Sequence, residues 1–468
     1  MMKRLFFGMF CILILNVLFS SSVSADCVEP YSGMTITEDT NFCSGEYELN
    51  EAIFVTGDHD IEIECEDTVL VGDNESTGFF IRDTEDVEIE DCILKDFSKG
   101  IDAQYVDDLY FENSFLGNMN SGIVVLDSDS LLIEEVEIEN VRYGVETNDV
   151  DEVSIYDGLI NGIGAWYGTG VYIRDADNME IHHLTIKNYD TGIFTQDVDF
   201  VEIGYNVLIS IFDINGIWIE YSDEWSDEAN IEIEEVRIQH GQIYSTGIAL
   251  INAPEADIGE LTVTDVDTGL LIENSSNVSI FYSNFFDNEE RDISIVGDKI
   301  RQGTKHLIRY SNIWSPVGIW NDQPYEVDAR QNYWNTENIS EIAERIAGLH
   351  SPEVVYDPFL SYDRTRVRRE GSGGVNYWGQ GRVEVAGTGD FEVRDGEGTL
   401  WTNGADVDFS THGEWEDIGN HTYKGWGGFF IRTHTWESVV WEGRGEIESG
   451  GDGWITFKGF FQKLVDSE

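Results

Sequence analysis

Hydrophobic and polar positions alternate along most of this chain in short runs, and the runs recur at a fixed interval. Gly78-Phe-Phe-Ile, Gly100-Ile-Asp-Ala and Gly122-Ile-Val-Val stand 22 residues apart, and nine residues after each glycine a second alternating run begins, at Val87, Leu109 and Leu131. A third short run follows at Cys92–Leu94, Ser114–Leu116 and Val136–Ile138. Period-2 alternation predicts strands, and a repeat of roughly 20 to 25 residues predicts that they stack as the coils of a β-solenoid. The register continues at Gly144, Gly170, Gly192, Gly216, Gly247 and Gly269. The residue after each glycine is apolar throughout (Phe79, Ile101, Ile123, Val145, Val171, Ile193, Ile217, Ile248 and Leu270), which predicts one inward ladder. The glycines read as corners with positive φ, and Asp86, Asp108, Ser130, Asn178 and Asn277 as further bends suited to left-handed geometry.

The Gly-Ile-x-Ile and Asn-Val-x-Ile pattern resembles the right-handed parallel β-helix repeat proteins, a pectin-lyase-like family, over roughly residues 27 to 362. The resemblance implies an all-β fold: a right-handed, single-stranded parallel β-helix of about 11 coils with three strands per coil. It does not choose an activity, because that family includes polysaccharide lyases, glycoside hydrolases, epimerases, adhesins and binding proteins.

The two ends of the chain differ from its middle. Residues 1–25 read as a secretory signal peptide, with Lys3 and Arg4, an apolar run from Leu5 to Phe19, and Val23-Ser24-Ala25; an uncleaved anchor is the alternative. After signal cleavage nothing else in the chain is long and apolar enough to span a membrane, which points to a secreted or cell-surface protein. The β-helix with its caps is expected over 26–362. Near its end Ile339, Ile342, Ile346 and Leu349 recur at helical spacing after Asn338, with Glu341 completing a capping box. The preceding Asn332-Tyr-Trp-Asn resembles the Asn-Tyr-Trp-Gly cap of exported β-helix proteins, with Asn335 where glycine is usual. Residues 363–375 read as a basic, glycine-rich linker, and 376–468 as a glycine-rich β domain similar to one found in some archaeal exported proteins.

Cysteine and charge add to this picture. Once Cys11 leaves with the signal, Cys27, Cys43, Cys65 and Cys92 remain, an even number that favours disulfides in an exported chain, with a zinc site as the rival. Cys65 and Cys92 follow corresponding runs on adjacent coils, which pairs them and leaves Cys27 for Cys43. Acidic residues outnumber basic ones 91 to 27, for a net charge of −64, so nucleic acid is excluded as a partner. The carboxylates are spread over the outward positions, as expected of a halophile's solvated surface, a divalent-cation sponge or an anti-aggregation coating; salt or Ca2+ should help the fold. Five sequons, at Asn74, Asn274, Asn277, Asn338 and Asn420, allow N-glycosylation in a host that performs it.

Candidate chemistry lies two and four residues past each glycine, where side chains should face outward. Between Glu146 and Glu220 that stripe reads Glu146/Asn148, Tyr172/Arg174, Phe194/Gln196 and Trp218/Glu220, a mix of rings, amides, arginine and carboxylates that suits a sugar polymer. It predicts a glycan-binding strip of Glu146, Asn148, Tyr172, Arg174, Gln196, Trp218 and Glu220. The insertions at 161–167 and 221–229 add Trp166, Tyr167, Tyr221 and Trp225 to the same wall. As an enzyme, the chain would pair Glu146 with Asp175 or Glu220 with Asp197 for glycoside hydrolysis. As a uronate lyase it would use Arg174, Lys187 and calcium held by Asp197 and Asp199. His182 and His183 should point to opposite faces of one strand. A cell-surface or secreted protein that binds extracellular polysaccharide is the first functional expectation; a polysaccharide lyase or hydrolase is the second. A metal-handling β-helix, as in proteins assisting copper-enzyme maturation, is the third, and the scarcity of clustered Met, His and Cys argues against it.

Overall fold

The computed structural model describes residues 27–360, apart from 58, 164–167, 223–228, 298–303 and 337, together with strands between 381 and 465. The signal segment, the linker at 363–375 and the insertion residues Trp166, Tyr167 and Trp225 lie outside the described residues. Nearly all of the described solenoid is parallel β-structure, of about 13 turns rather than 11. The extra turns lie beyond breaks in the glycine series, where Ala52 precedes Ile53 and Asp292 precedes Ile293. The ladder already begins at Thr35–Ile36, paired with Phe54 and Val55, and after Leu270 it goes on through Ile293, Ile319 and Ile346.

The chain divides into two compact units, Met1–Leu159 and Ile160–Glu468. In the first, Phe79 pairs with Ile101, Ile101 with Ile123 and Ile123 with Val145; in the second, Ile193 pairs with Ile217, Ile217 with Ile248 and Ile248 with Leu270. All of these side chains are 0% exposed, so the predicted inward ladder forms the core. Each buried Val, Ile or Leu contributes about 1.5–3 kcal/mol that no single coil could recover alone.

The glycines preceding this ladder are not corners. Positive φ among glycines is confined to Gly33, Gly45, Gly297 and Gly348 among the described residues. The ladder glycines are there for close approach instead. A Cβ on Gly216 would lie 2.5 Å from the carbonyl oxygen of Gly247 and 2.7 Å from Cγ2 of Ile238. Left-handed corners fall on other residues, five past each ladder glycine except Gly216: Asp83, Tyr105, Asp127 and Asp149 in the first unit, Asp175, Asp197, Asn252 and Asn274 in the second. Asp and Asn tolerate this conformation because their short side chains bond locally. Of the bends read from sequence, Asn277 has positive φ; Asp86, Asp108, Ser130 and Asn178 do not. Asp86, Asp108 and Ser130 form instead a row of outward neighbours, Asp86 facing Asp108 and Asp108 facing Ser130, with the Ser130 hydroxyl donating to Asp108.

Both expected disulfides are present, Cys27–Cys43 and Cys65–Cys92. The capping helix is shorter than its apolar spacing indicates, Ile339–Glu344, because Ile346 leaves it to pair with Ile319 as the last rung and Leu349 is 83% exposed. The Asn338 side chain accepts from the Ser340 amide and donates to Glu341. Asn335 has φ 53°, which accounts for its standing where glycine is usual. Farther on, Gly381–Glu384, Trp454–Val465, Trp436–Gly450, Thr422–Thr433 and Val407–Gly419 form a five-stranded antiparallel sheet in that order, and Thr388–Arg394 pairs with Glu397–Asn403 as a hairpin.

Candidate functional site

The outward face of the first strands gathers part of the predicted strip. Glu146 and Asn148 belong to the first unit, opposite Val124 and Leu126, and the Glu146 carboxylate accepts from the Ser121 hydroxyl at 2.7 Å. The remaining residues belong to the second unit. There the rings of Tyr172 and Phe194 stack with centroids 5.0 Å apart and planes 3° from parallel. Phe194 is in turn the register partner of Trp218, and Gln196 that of Glu220. All five side chains are half-buried, because alternation turns Val171, Ile193 and Ile217 inward and leaves these positions on the surface. The Trp218 indole N–H donates to the Glu220 carboxylate at 3.1 Å, which fixes the ring's orientation. The side-chain amide of Gln196 donates to the Ser222 hydroxyl at 2.9 Å.

The candidate acid and base groups are engaged elsewhere. Asp175 and Asp197 both occupy left-handed corners. Asp175 lies 3.3 Å from the guanidinium of Arg174, and Asp197 accepts the Ser222 amide at 2.6 Å. Asp199 is exposed two residues farther along the same strand. Lys187 does not join Arg174, since it belongs to a third strand, opposite Ser210. Tyr221 is withdrawn from the wall: it is 2% exposed, its hydroxyl donates to the Val198 carbonyl at 2.7 Å, and burial pushes its phenol above the usual tyrosine range. The two histidines also depart from simple alternation. His182 faces outward within 3.0 Å of Glu202 and edge-on to Tyr205, while His183 sits at an exposed corner with φ 51°.

Among the described residues, Asp197 and Asp199 do not fall in a group of metal-ligating side chains. Two such groups are made wholly of glutamates in the first unit, Glu62/Glu64/Glu90 and Glu88/Glu90/Glu112, with carboxylate oxygens within 4.8 Å of one another. They arise because Ile61-Glu-Ile-Glu, Val87-Glu-Ile-Glu and the run ending at Glu112 stack in register. Partial burial first, and then the neighbouring carboxylates of Glu64, Asp91 and Glu112, raise the Glu90 carboxyl to about 7. The repeated Glu-Ile-Glu was the sequence signal for this row. Sequence reasoning also missed Trp320, which continues the outward row of Trp218 beyond Leu271.

Comparison with known proteins places these coils in context. Residues 110–235 and 169–332 match the family model described as the right handed beta helix region, and residues 31–165 match that of the periplasmic copper-binding protein NosD. No curated protein matches the chain. Among solved structures, the periplasmic alginate epimerase AlgG is similar at 11% identity and a TM-score of 0.40, covering 64% of this chain and 80% of its own. The tailspike protein of E. coli bacteriophage HK620, solved with a pentasaccharide, is similar at 8% identity and a TM-score of 0.27, covering 92% and 81%. The receptor-binding protein of bacteriophage Det7 is similar at 10% identity and 0.25, covering 88% and 85%. No helix among the described residues is long and apolar enough to cross a membrane. The parallel coil register and the match over residues 110–332 together make the solenoid of this chain a right-handed β-helix.

Proposed function

We propose that this is an exported β-helix protein that binds an uncharged glycan along the outward face of its first strands. The observation that carries the reading is the in-register row Tyr172, Phe194 and Trp218, with Gln196 and Glu220 beside it. Ring edges and faces receive the C–H surface of a sugar, and the amide and carboxylate beside them accept from its hydroxyls. Charge selects the class of sugar. Arg174, the cation of the strip, is already beside Asp175, and Glu220, Asp197 and Asp199 flank the row in a chain of net charge −64. A uronate polymer would meet repulsion there, whereas a neutral chain would not. Binding is favoured over catalysis because Asp175 and Asp197 serve corners and Glu220 holds an indole.

The copper reading that the NosD match raises does not fit the residues. Within 31–165 the cysteines are all in disulfides, Met34 and Met119 are buried at 7% and 6% exposure, and the clustered ligands are carboxylates, which suit hard cations rather than copper. The formed disulfides support export to an oxidising compartment.

The test is a panel of soluble neutral glucans, mannans and chitin oligomers beside alginate and polygalacturonate, with Trp218→Ala and Tyr172→Ala variants checked by circular dichroism. A neutral member should bind, and each variant should weaken it by about tenfold, the worth of one aromatic contact. Equal binding by wild type and both variants would sink the proposal.

A further inference from the structure

We propose that the glycan site does not end at Trp218 but runs along the same face to Trp320, forming a trough for an extended chain of sugars. This rests on the glycan reading above and lengthens its site. The outward row is continuous: Trp218 is opposite Ala249, Ala249 opposite Leu271, Leu271 opposite Ser294, and Ser294 opposite Trp320. The two ends are built alike. The Trp320 indole N–H donates to Asp322, two residues on, at 2.8 Å, as that of Trp218 donates to Glu220. A tryptophan held by a carboxylate two positions later therefore occurs twice in one row, in the same sense.

Between them Ala249 is 0% exposed and Ser294 2%, both covered by their neighbours, and Leu271 is half-buried, so Leu271 is the point of this row between the two indoles that a ligand can touch. One end carries a further group: the Arg291 guanidinium lies 4.7 Å from the centre of the Trp320 ring and donates to the Ser294 hydroxyl at 3.1 Å. Its other terminal nitrogen lies 3.6 Å from Glu290, and the guanidinium as a whole is complementary to sugar hydroxyl oxygens. Four coil steps at about 4.8 Å separate the indoles by about 19 Å, about four pyranose steps at roughly 5 Å each, so sugars centred on the two indoles are the first and fifth of a chain. The ligand is thus a linear, uncharged oligosaccharide lying along the solenoid axis, with one sugar on each indole and the middle units passing over Leu271.

Titration calorimetry with cello-oligosaccharides and manno-oligosaccharides of two to six units tests this. Affinity in one series should rise at least about tenfold from the disaccharide to the pentasaccharide and then level off. Trp320→Ala should remove that rise and leave the disaccharide unchanged, whereas Trp218→Ala should weaken both. Leu271→Arg, at a half-buried outward position and checked by circular dichroism, should block the pentasaccharide and leave the disaccharide unchanged. Length-independent affinity, or a Trp320→Ala variant that matches wild type on the hexasaccharide while Trp218→Ala does not, would overturn the extended trough and leave the shorter site standing. Absence of binding by wild type to every member of both series would overturn the glycan reading and the trough with it.

Discussion

Replacing Gly216 by alanine asks what the glycine row is for, and the sign of the effect gives the answer. If nothing approached Gly216, alanine would stabilise the protein by about 0.4–1 kcal/mol, because its φ lies outside the left-handed region and the unfolded chain would lose freedom. The structure predicts the opposite. The new Cβ would stand 2.5 Å from the Gly247 carbonyl oxygen and 2.7 Å from Ile238 Cγ2, and only the second can move by a rotamer change. The carbonyl belongs to the next coil's backbone, so the clash opens the hydrogen-bonded spacing between coils. Overpacking of this kind costs about 1–3 kcal/mol, and more where backbone rather than side chain must yield. Offset by the chain-entropy gain, a net loss of roughly 0.5–2.5 kcal/mol remains, a fall in melting temperature of roughly 1–4 °C for a solenoid of this length. Thermal unfolding followed by circular dichroism measures it, with Gly192→Ala, 2.6 Å from the Gly216 carbonyl, as a replicate in the same row. An unchanged or raised midpoint in both variants would refute the close-approach explanation.

Acidity and salt give two further expectations. Glu90 is raised to about 7 and Asp86 to about 6, Asp86 by burial first and then by its hydrogen bond with Asp108. The folded protein keeps these protons where the unfolded chain has released them, so this contribution is complete below the ordinary carboxylate range and is lost as pH rises through about 6 to 7. Melting temperature should fall between about pH 5 and pH 8, and Glu90→Gln should flatten the profile; a maximum near pH 8 would contradict the row. Stability should also rise with NaCl from about 0.05 M to molar concentrations, since screening relieves the repulsion within a chain of charge −64; a flat midpoint, restored to salt dependence by a chelator, would show bound cations already doing the screening.

Much of the fold could be read from sequence because its period is carried by the residues that matter most to it. The apolar position after each glycine is fully buried, and the cysteines that follow equivalent strands are bonded. What was hidden has physical reasons. The coil after Leu270 lacks the glycine: Asp292 takes its place, fully buried, its carboxylate accepting from the Trp314 and Ser315 amides, the Ser315 hydroxyl and the Asn288 side chain. The glycine series is therefore broken for one coil after Gly269, and Gly318-Ile319-Trp320, which restores it, stands 49 residues farther on. Spacing likewise cannot tell a glycine needed for a turn from one needed for a neighbour's backbone, nor show that Asp175 and Asp197 are corners before they are acids. The strip itself was legible as a direction, outward, but the stacking of Tyr172 on Phe194 and the tether of Trp218 to Glu220 depend on rotamers that alternation does not specify.

The glycine row also bears on how such a chain would evolve. Because each glycine is constrained by the carbonyl of the following coil, a 22-residue unit carries its own joining surface at both ends, and duplicating one in frame would create a junction of the kind already present at every other step. Point substitution in this row is punished while insertion of a whole unit is tolerated. A gene duplication between Trp218 and Trp320 would move the two indoles apart by about 4.8 Å, close to one sugar, without altering either. Recognition length on this scaffold would then change in whole sugar units through recombination rather than gradually through side-chain replacement.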